Sequence, residues 1–108
     1  MTEPSSMPEL DAEGFLVDSN DWTEAVAVEL ARGEGIVLGE DHWDAIRFMR
    51  RYYDENQIAA DARFVIKHLA QRYGPAARKR LFELFPYGYP GQACKIAGMR
   101  RPRAWSTG

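Results

Sequence analysis

A single cysteine, Cys94, stands among 108 residues, so no disulfide can close within the chain, and the multi-bridge frameworks of small secreted domains are excluded. Histidine is almost as scarce. His42 and His68 are the only two, and with one cysteine they do not give the closely spaced ligand pairs of a structural zinc site. No metal and no other cofactor is expected. Long apolar runs are missing too, because Arg, Glu or Asp interrupts each apolar patch well short of a membrane span. The opening residues, which include Glu3, Pro4, Ser5 and Ser6, have neither the basic start nor the apolar stretch of a signal peptide. A soluble, cytoplasmic chain is therefore expected. The phosphate-cradling glycine loops and the serine nucleophile elbow are absent as well, and no segment repeats. A stand-alone enzyme is not indicated.

What is present suits one folded domain. The sequence is 45% apolar and 12% aromatic, with Trp22, Trp43 and Trp105 among its large side chains. That is enough apolar surface to offset the entropy of ordering a chain of this length, and the length allows one core. The net charge of −2 conceals a strong asymmetry. Residues 1–56 hold 14 acids and 4 bases, net −10, whereas residues 57–108 hold 2 acids and 10 bases, net +8. Such halves can cancel across a fold as surface ion pairs, which stabilise little. They can also leave a basic working face. Arg78, Lys79, Arg80, Lys95, Arg100, Arg101 and Arg103 would then attract an acidic protein, a small oxyanion or a nucleic-acid backbone.

Periodicity and turn chemistry predict a mostly helical chain. Residues 1–13, with two prolines, two adjacent serines and four acids, read as a mobile lead-in. Phe15–Val17 before Asp18-Ser19-Asn20 suggests a small strand. Ser19 or Asn20 would cap a first helix from Asp21 to Arg32, with Trp22, Val26 and either Glu29 or Leu30 on one face. After the connector Ile36-Val37-Leu38, Glu40 and Asp41 open a second helix that runs to about Asn56 and presents Trp43, Ile46, Met49 or Arg50, and Tyr53 inward. Asp61 opens a third, with Val65, Ile66, Leu69 and Tyr73 on one side and Gly74-Pro75 at its end. A fourth spans Ala76–Phe85 with Leu81, Phe82, Leu84 and Phe85 inward. Pro86 to Gly91 is too rich in Pro and Gly for a helix, Gln92–Ala97 forms a last short helix stopped by Gly98, and residues 99–108 form an arm.

The segment Leu84-Phe85-Pro86-Tyr87-Gly88, followed by Gln92-Ala93-Cys94-Lys95-Ile96-Ala97-Gly98, closely resembles the C-terminal signature of the DsrC/TusE sulfur-relay family. Gly14-Phe15-Leu16 leading into Asn20-Asp21-Trp22, then Glu40-Asp41-His42-Trp43, then Arg51-Tyr52-Tyr53 before Gln57-Ile58-Ala59, follow in family-like order. The resemblance spans roughly residues 13–102. It implies an α+β, mostly α fold: a small N-terminal β element packed on about five helices, within a domain over residues 14–98, with a flexible arm over 99–108. It also implies sulfur trafficking, with dissimilatory sulfite reductase or a sulfurtransferase relay as partner.

In the family the carrier thiol typically lies next to the last residue of the arm, and some members add a second cysteine in the last short helix. Cys94 matches that second position, and Trp105 falls where the arm cysteine would be. The resemblance therefore implies a member that docks to a sulfite reductase or sulfur-relay partner in a binding or regulatory role. Tyr87, Lys95, Arg100, Arg101, Arg103 and Trp105 are its candidate partner-binding residues. Trp105 either anchors the arm to the body or enters a partner's pocket. Cys94 either packs as an inert small hydrophobe or, with Lys95 and nearby arginines lowering its pKa, holds one sulfur as a persulfide carrier. A third reading takes the second and third helices as a helix-turn-helix-like pair, with Arg63, Lys67 and Arg72 facing nucleic acid. The oligomeric state is left open.

Overall fold

The computed structural model describes residues 8–99. Its first stretch folds back on itself through Asp11, whose carboxylate accepts from the backbone N–H groups of Glu13 and Phe15 at 2.9 and 3.0 Å. Gly14, at φ 90°, reverses the chain, and Leu10 then pairs antiparallel with Leu16. The expected N-terminal β element is thereby reduced, among the described residues, to one isolated bridge. A strand sends successive side chains to opposite faces, whereas Phe15 and Leu16 are both buried, so the hairpin serves as an apolar plug rather than as part of a sheet.

The first helix also differs from the expectation. Ser19–Asp21 forms a single 3-10 turn, begun by the Asp18 carboxylate accepting from Asn20 N–H at 2.9 Å. The helix α1 (Glu24–Gly33) starts later, where the Thr23 hydroxyl accepts from Val26 N–H at 3.1 Å. Trp22 lies in the extended link between them and not on the helical face. Leu30, not Glu29, is the inward residue.

The middle of the chain follows its sequence pattern. Helix α2 (Glu40–Asn56) buries Ala45, Ile46 and Met49, and ends where Gln57 turns left-handed at φ 62°. Helix α3 (Ala62–Tyr73) is capped by Asp61 and buries Val65 and Leu69. A 3-10 turn at Gly74–Ala76, containing Pro75, leads into α4 (Ala77–Leu84). Phe82, expected inward, is 49% exposed. It lies about 100° round the helix from Leu81 and off the stripe that Leu81, Leu84 and the capping Phe85 turn inward.

Another departure follows Phe85. Tyr89–Gly91, expected as non-helical, winds together with Gln92 and Ala93 as a wide π turn that runs directly into the short helix α5 (Cys94–Ile96). Pro90 sits at the start of that turn, where the missing N–H leaves nothing unpaired. Helix α3 packs on α2 and α4, and α1 packs on α5. Full burial of Phe15, Ile46, Met49, Leu69, Leu81 and Ile96 stabilises the arrangement by roughly 1.5–3 kcal/mol per side chain. No helix among the described residues is long and apolar enough to cross a membrane.

Candidate functional site around Cys94

The stretch from Tyr87 to Met99 is locked to the body from three sides. On the first side, Trp22 donates its indole N–H to the Ile96 carbonyl at 3.0 Å. Arg50 donates to the Ala97 carbonyl at 3.1 Å and also holds Ser19, through its hydroxyl at 3.0 Å and its carbonyl at 3.2 Å. The Arg50 guanidinium stacks 4.6 Å from the Trp22 ring centre. Burial lowers the pKa of Arg50, with Asp54 and Tyr53 opposing, and the side chain stays charged. The α5 helix thus has its last carbonyls satisfied by side chains that begin 74 and 47 residues upstream.

The second side is Glu34, just past the end of α1. Its carboxylate accepts from Gln92 Nε2 and from Lys95 Nζ, both at 3.0 Å. Burial raises the Glu34 pKa, but the bonds from Lys95 and Gln92 outweigh it, and the net shift is downward. Gln92 is buried, and its Oε1 accepts from Tyr87 N–H at 3.2 Å. The Lys95 ammonium therefore neutralises Glu34 and lies 5.5 Å from the Phe15 ring centre.

The third side is Tyr89, whose hydroxyl donates to the Ala60 carbonyl and shares a hydrogen bond with the Cys94 thiol. Burial drives the Tyr89 pKa far upward, and the neighbouring Cys94 adds to the rise. Cys94 itself is 0% exposed. It sits where the π turn hands over to α5, with its backbone N–H bonded to the Tyr89 carbonyl.

Beneath this platform, His42 fixes the end of α4. Its Nδ1 accepts from Gly39 N–H at 3.0 Å, so Nε2 carries the proton and donates to the Leu84 carbonyl at 2.9 Å. Burial lowers its pKa against the pull of the Leu84 bond. Nearby, Asp41 accepts from the Tyr73 hydroxyl, from Arg80 Nη2 at 2.7 Å and from Arg72 Nη1 at 2.9 Å. The Tyr73 bond, then Arg80, holds the Asp41 carboxyl below the usual carboxylate range.

These contacts place the sequence candidates unevenly. Cys94 and Lys95 are adjacent in the chain, but Lys95 is engaged with Glu34. Tyr87 is 79% exposed at the platform's edge. Arg100, Arg101, Arg103 and Trp105 lie outside the described residues, as do residues 1–7 of the lead-in. Of the basic cluster on α4, Arg78 and Lys79 are exposed while Arg80 is bound to Asp41. Of the bases considered for nucleic acid, Arg63 pairs with Asp61 and Arg72 with Asp41, and Lys67 is exposed. Among the described residues no group of three His, Cys, Asp or Glu side chains could hold a metal ion.

Sequence reasoning missed Glu34, Arg50 and His42 as supports of the platform. Long-range bonds of this kind leave no local periodic signal. Of the three, only His42 lies in a segment of family-like order, Glu40-Asp41-His42-Trp43.

The geometry defines a small helical protein whose single thiol lies on a braced C-terminal segment rather than in a catalytic cleft. The family described as DsrC like protein matches residues 5–104, and the chain belongs to that family. Sulfurtransferase TusE of Pectobacterium atrosepticum is 45% identical over 94 residues, covering 85% of this chain and 86% of that protein. Sulfurtransferase TusE of an Escherichia coli strain is 40% identical over 96 residues, covering 87% and 88%. Among solved structures, the oxidized gamma-subunit of the dissimilatory sulfite reductase (DsrC) from Archaeoglobus fulgidus superposes with a TM-score of 0.81 at 35% identity, covering 90% of each chain. Allochromatium vinosum DsrC gives 0.81 at 38% identity, covering 96% of this chain and 95% of its own.

Proposed function

We propose that this member of the sulfur-relay family works by docking to a sulfite reductase or a sulfurtransferase relay partner, in a binding or regulatory role, without itself carrying sulfur. The observation that supports this most strongly is the full burial of Cys94, the only cysteine in the sequence. A persulfide carrier must present a thiolate to a donor and then to an acceptor. The thiol here is held against Tyr89 inside the braced platform, and the ammonium that could have activated it serves Glu34. Tyr87, together with Arg100, Arg101, Arg103 and Trp105, would contribute the residues that bind the partner.

The test is mass spectrometry after incubation with a persulfidated donor protein, run beside alkylation rates across pH, with Cys94→Ser as the blank. Slow modification of Cys94 is expected in the folded protein, with rapid modification only after denaturation. A fast, stoichiometric gain of one sulfur at Cys94 that can be passed to an acceptor thiol would overturn the docking-only reading and establish a single-thiol carrier.

A further inference from the structure

We propose that residues 89–97 form a hinged segment that swings off the body as a unit and uncovers its own Cys94 while α2, α3 and α4 stay folded, with Glu34 as the latch that keeps it closed. The inference deepens the docking reading and rests on it in one respect, that the closed thiol is the resting state. Gly88, at φ 98° and ψ 160°, and Gly98, at φ 77°, bracket the segment. Backbone that glycine adopts at little cost therefore stands at both ends, where the change of chain direction on opening is absorbed. Between the two glycines lies the π turn, a form that recurs at functional sites, and it runs into α5.

The backbone of this segment is bonded only to its own neighbourhood. From Gly88 N–H on the Phe85 carbonyl to Met99 N–H on the Cys94 carbonyl, its backbone hydrogen bonds all close within residues 85–99 among the described residues. The polar ties to the rest of the protein are made by side chains: Trp22 on the Ile96 carbonyl, Arg50 on the Ala97 carbonyl, Tyr89 on the Ala60 carbonyl, and Glu34 on Gln92 and Lys95. Its helix α5 packs on α1, whereas α3 packs on α2 and α4. No backbone ladder has to break for the segment to leave, which is the condition for a local opening well below the cost of unfolding the whole chain.

Glu34 is the tie placed to give first. One carboxylate oxygen holds Gln92 and the other holds Lys95, both at 3.0 Å, and Gln92 in turn holds the N–H of Tyr87 just before the hinge. A groove of about 290 Å³, bordered by Leu10, Gly14 and Leu30, runs past Glu34 and Lys95 on their outer side. The two side chains remain 21% and 18% exposed, so water from the groove solvates both charges as they part. Behind them Cys94 and Ile96 are fully buried. Loss of the Glu34 carboxylate leaves the amide of Gln92 and the ammonium of Lys95 without that acceptor, and losing hydrogen bonds to a charged group shifts the opening equilibrium by about tenfold or more.

The experiment follows alkylation of Cys94 by iodoacetamide in the full chain through a urea series below the unfolding transition, beside NMR exchange of the Trp22 indole proton. In the wild type the labelling rate should rise only weakly with urea at first, because a local opening exposes little surface, and then join the steep dependence of global unfolding. The Trp22 indole proton should exchange through the same opening, since it is bonded to the Ile96 carbonyl. Glu34→Ala should speed both processes by about tenfold or more without urea. Asp41→Asn is the control, because Asp41 bonds to Arg72, Tyr73 and Arg80 on α3 and α4, and those contacts persist in the open form. It should lower the urea midpoint and leave both rates without urea at their wild-type values. Wild-type labelling that follows global unfolding at every urea concentration overturns the proposal, whether or not Glu34→Ala folds. Equal rates in Glu34→Ala and the wild type overturn it too, as does an equal acceleration in Asp41→Asn. None of these results bears on docking, a reading that falls instead on transfer of sulfur from Cys94 to an acceptor thiol.

Discussion

The indole N–H of Trp22 and the carbonyl of Ile96 meet at 3.0 Å across 74 residues of sequence, joining the link before α1 to the last described helix. The bond does more than close a helix end, because the same ring forms one wall beside Gly98. A Cβ built on Gly98 would lie 2.5 Å from Trp22 Cδ1, and Gly98 adopts φ 77°. Removing the Trp22 ring should therefore loosen the whole platform. Trp22→Ala is expected to destabilise the protein by about 3 kcal/mol, and Trp22→Phe, which keeps most of the ring and loses the donor, by about 1 kcal/mol. Urea unfolding measures both, and amide exchange should quicken first at Ile96 to Met99.

Gly98→Ala tests the same junction from the other side. An alanine there suffers both the left-handed backbone and the collision with Trp22, and the expected cost is about 2 kcal/mol or more. A melting temperature equal to that of the wild type would show that the close approach to Trp22 does not constrain the fold.

His42 should give the stability a dependence on mildly acidic pH. Its folded pKa lies below the ordinary value of about 6.5, so the unfolded chain binds a proton more readily than the folded one. Stability is then fully present above about pH 6.5 and is lost as pH falls through that value toward the folded pKa, by at most about 1.4 kcal/mol per pH unit. Protonation also removes the Nδ1 acceptor of Gly39 N–H. In His42→Gln the slope of unfolding free energy between pH 7 and pH 5.5 should flatten.

Asp41 predicts a second loss at lower pH. Its carboxyl sits below the usual range because of Tyr73 and Arg80, so its contribution is present above about pH 3.9 and disappears as pH falls through the folded value. Asp41→Asn is expected to destabilise by about 2 kcal/mol at neutral pH. Arg72 is largely exposed, so most of that loss should come from Tyr73 and Arg80. If Tyr73→Phe in the Asn background costs nothing further, the hydroxyl bond is the shared element.

Replacing Arg100, Arg101 and Arg103 with Ala tests the docking face. Association with a sulfite reductase or relay partner should slow, and its salt dependence should weaken, with folding stability unchanged. Equal association rates for the variant and the wild type, measured by surface plasmon resonance at two salt concentrations, would remove these arginines from docking.

The sequence by itself determined α2, α3 and α4 nearly to the residue, because each carries an apolar stripe of helical period and a boundary signal: Glu40 and Asp41 opening α2, Asp61 before α3, and Gly74-Pro75 between α3 and α4. It also determined the family, through the motif that surrounds Cys94. Local pattern misjudged Phe15–Val17 and Pro86–Gly91. The first segment has strand-forming residues but pairs only through the single Leu10–Leu16 bridge, and the second has helix breakers placed where a wide turn tolerates them. Only the tertiary structure decided the state of the site. Whether Cys94 is open, whether Lys95 faces it or Glu34, and whether Arg50 belongs to the core of α2 or to the end of α5 depend on contacts 31 to 74 residues apart. Such contacts form when separate elements pack together, and no window of sequence contains both partners.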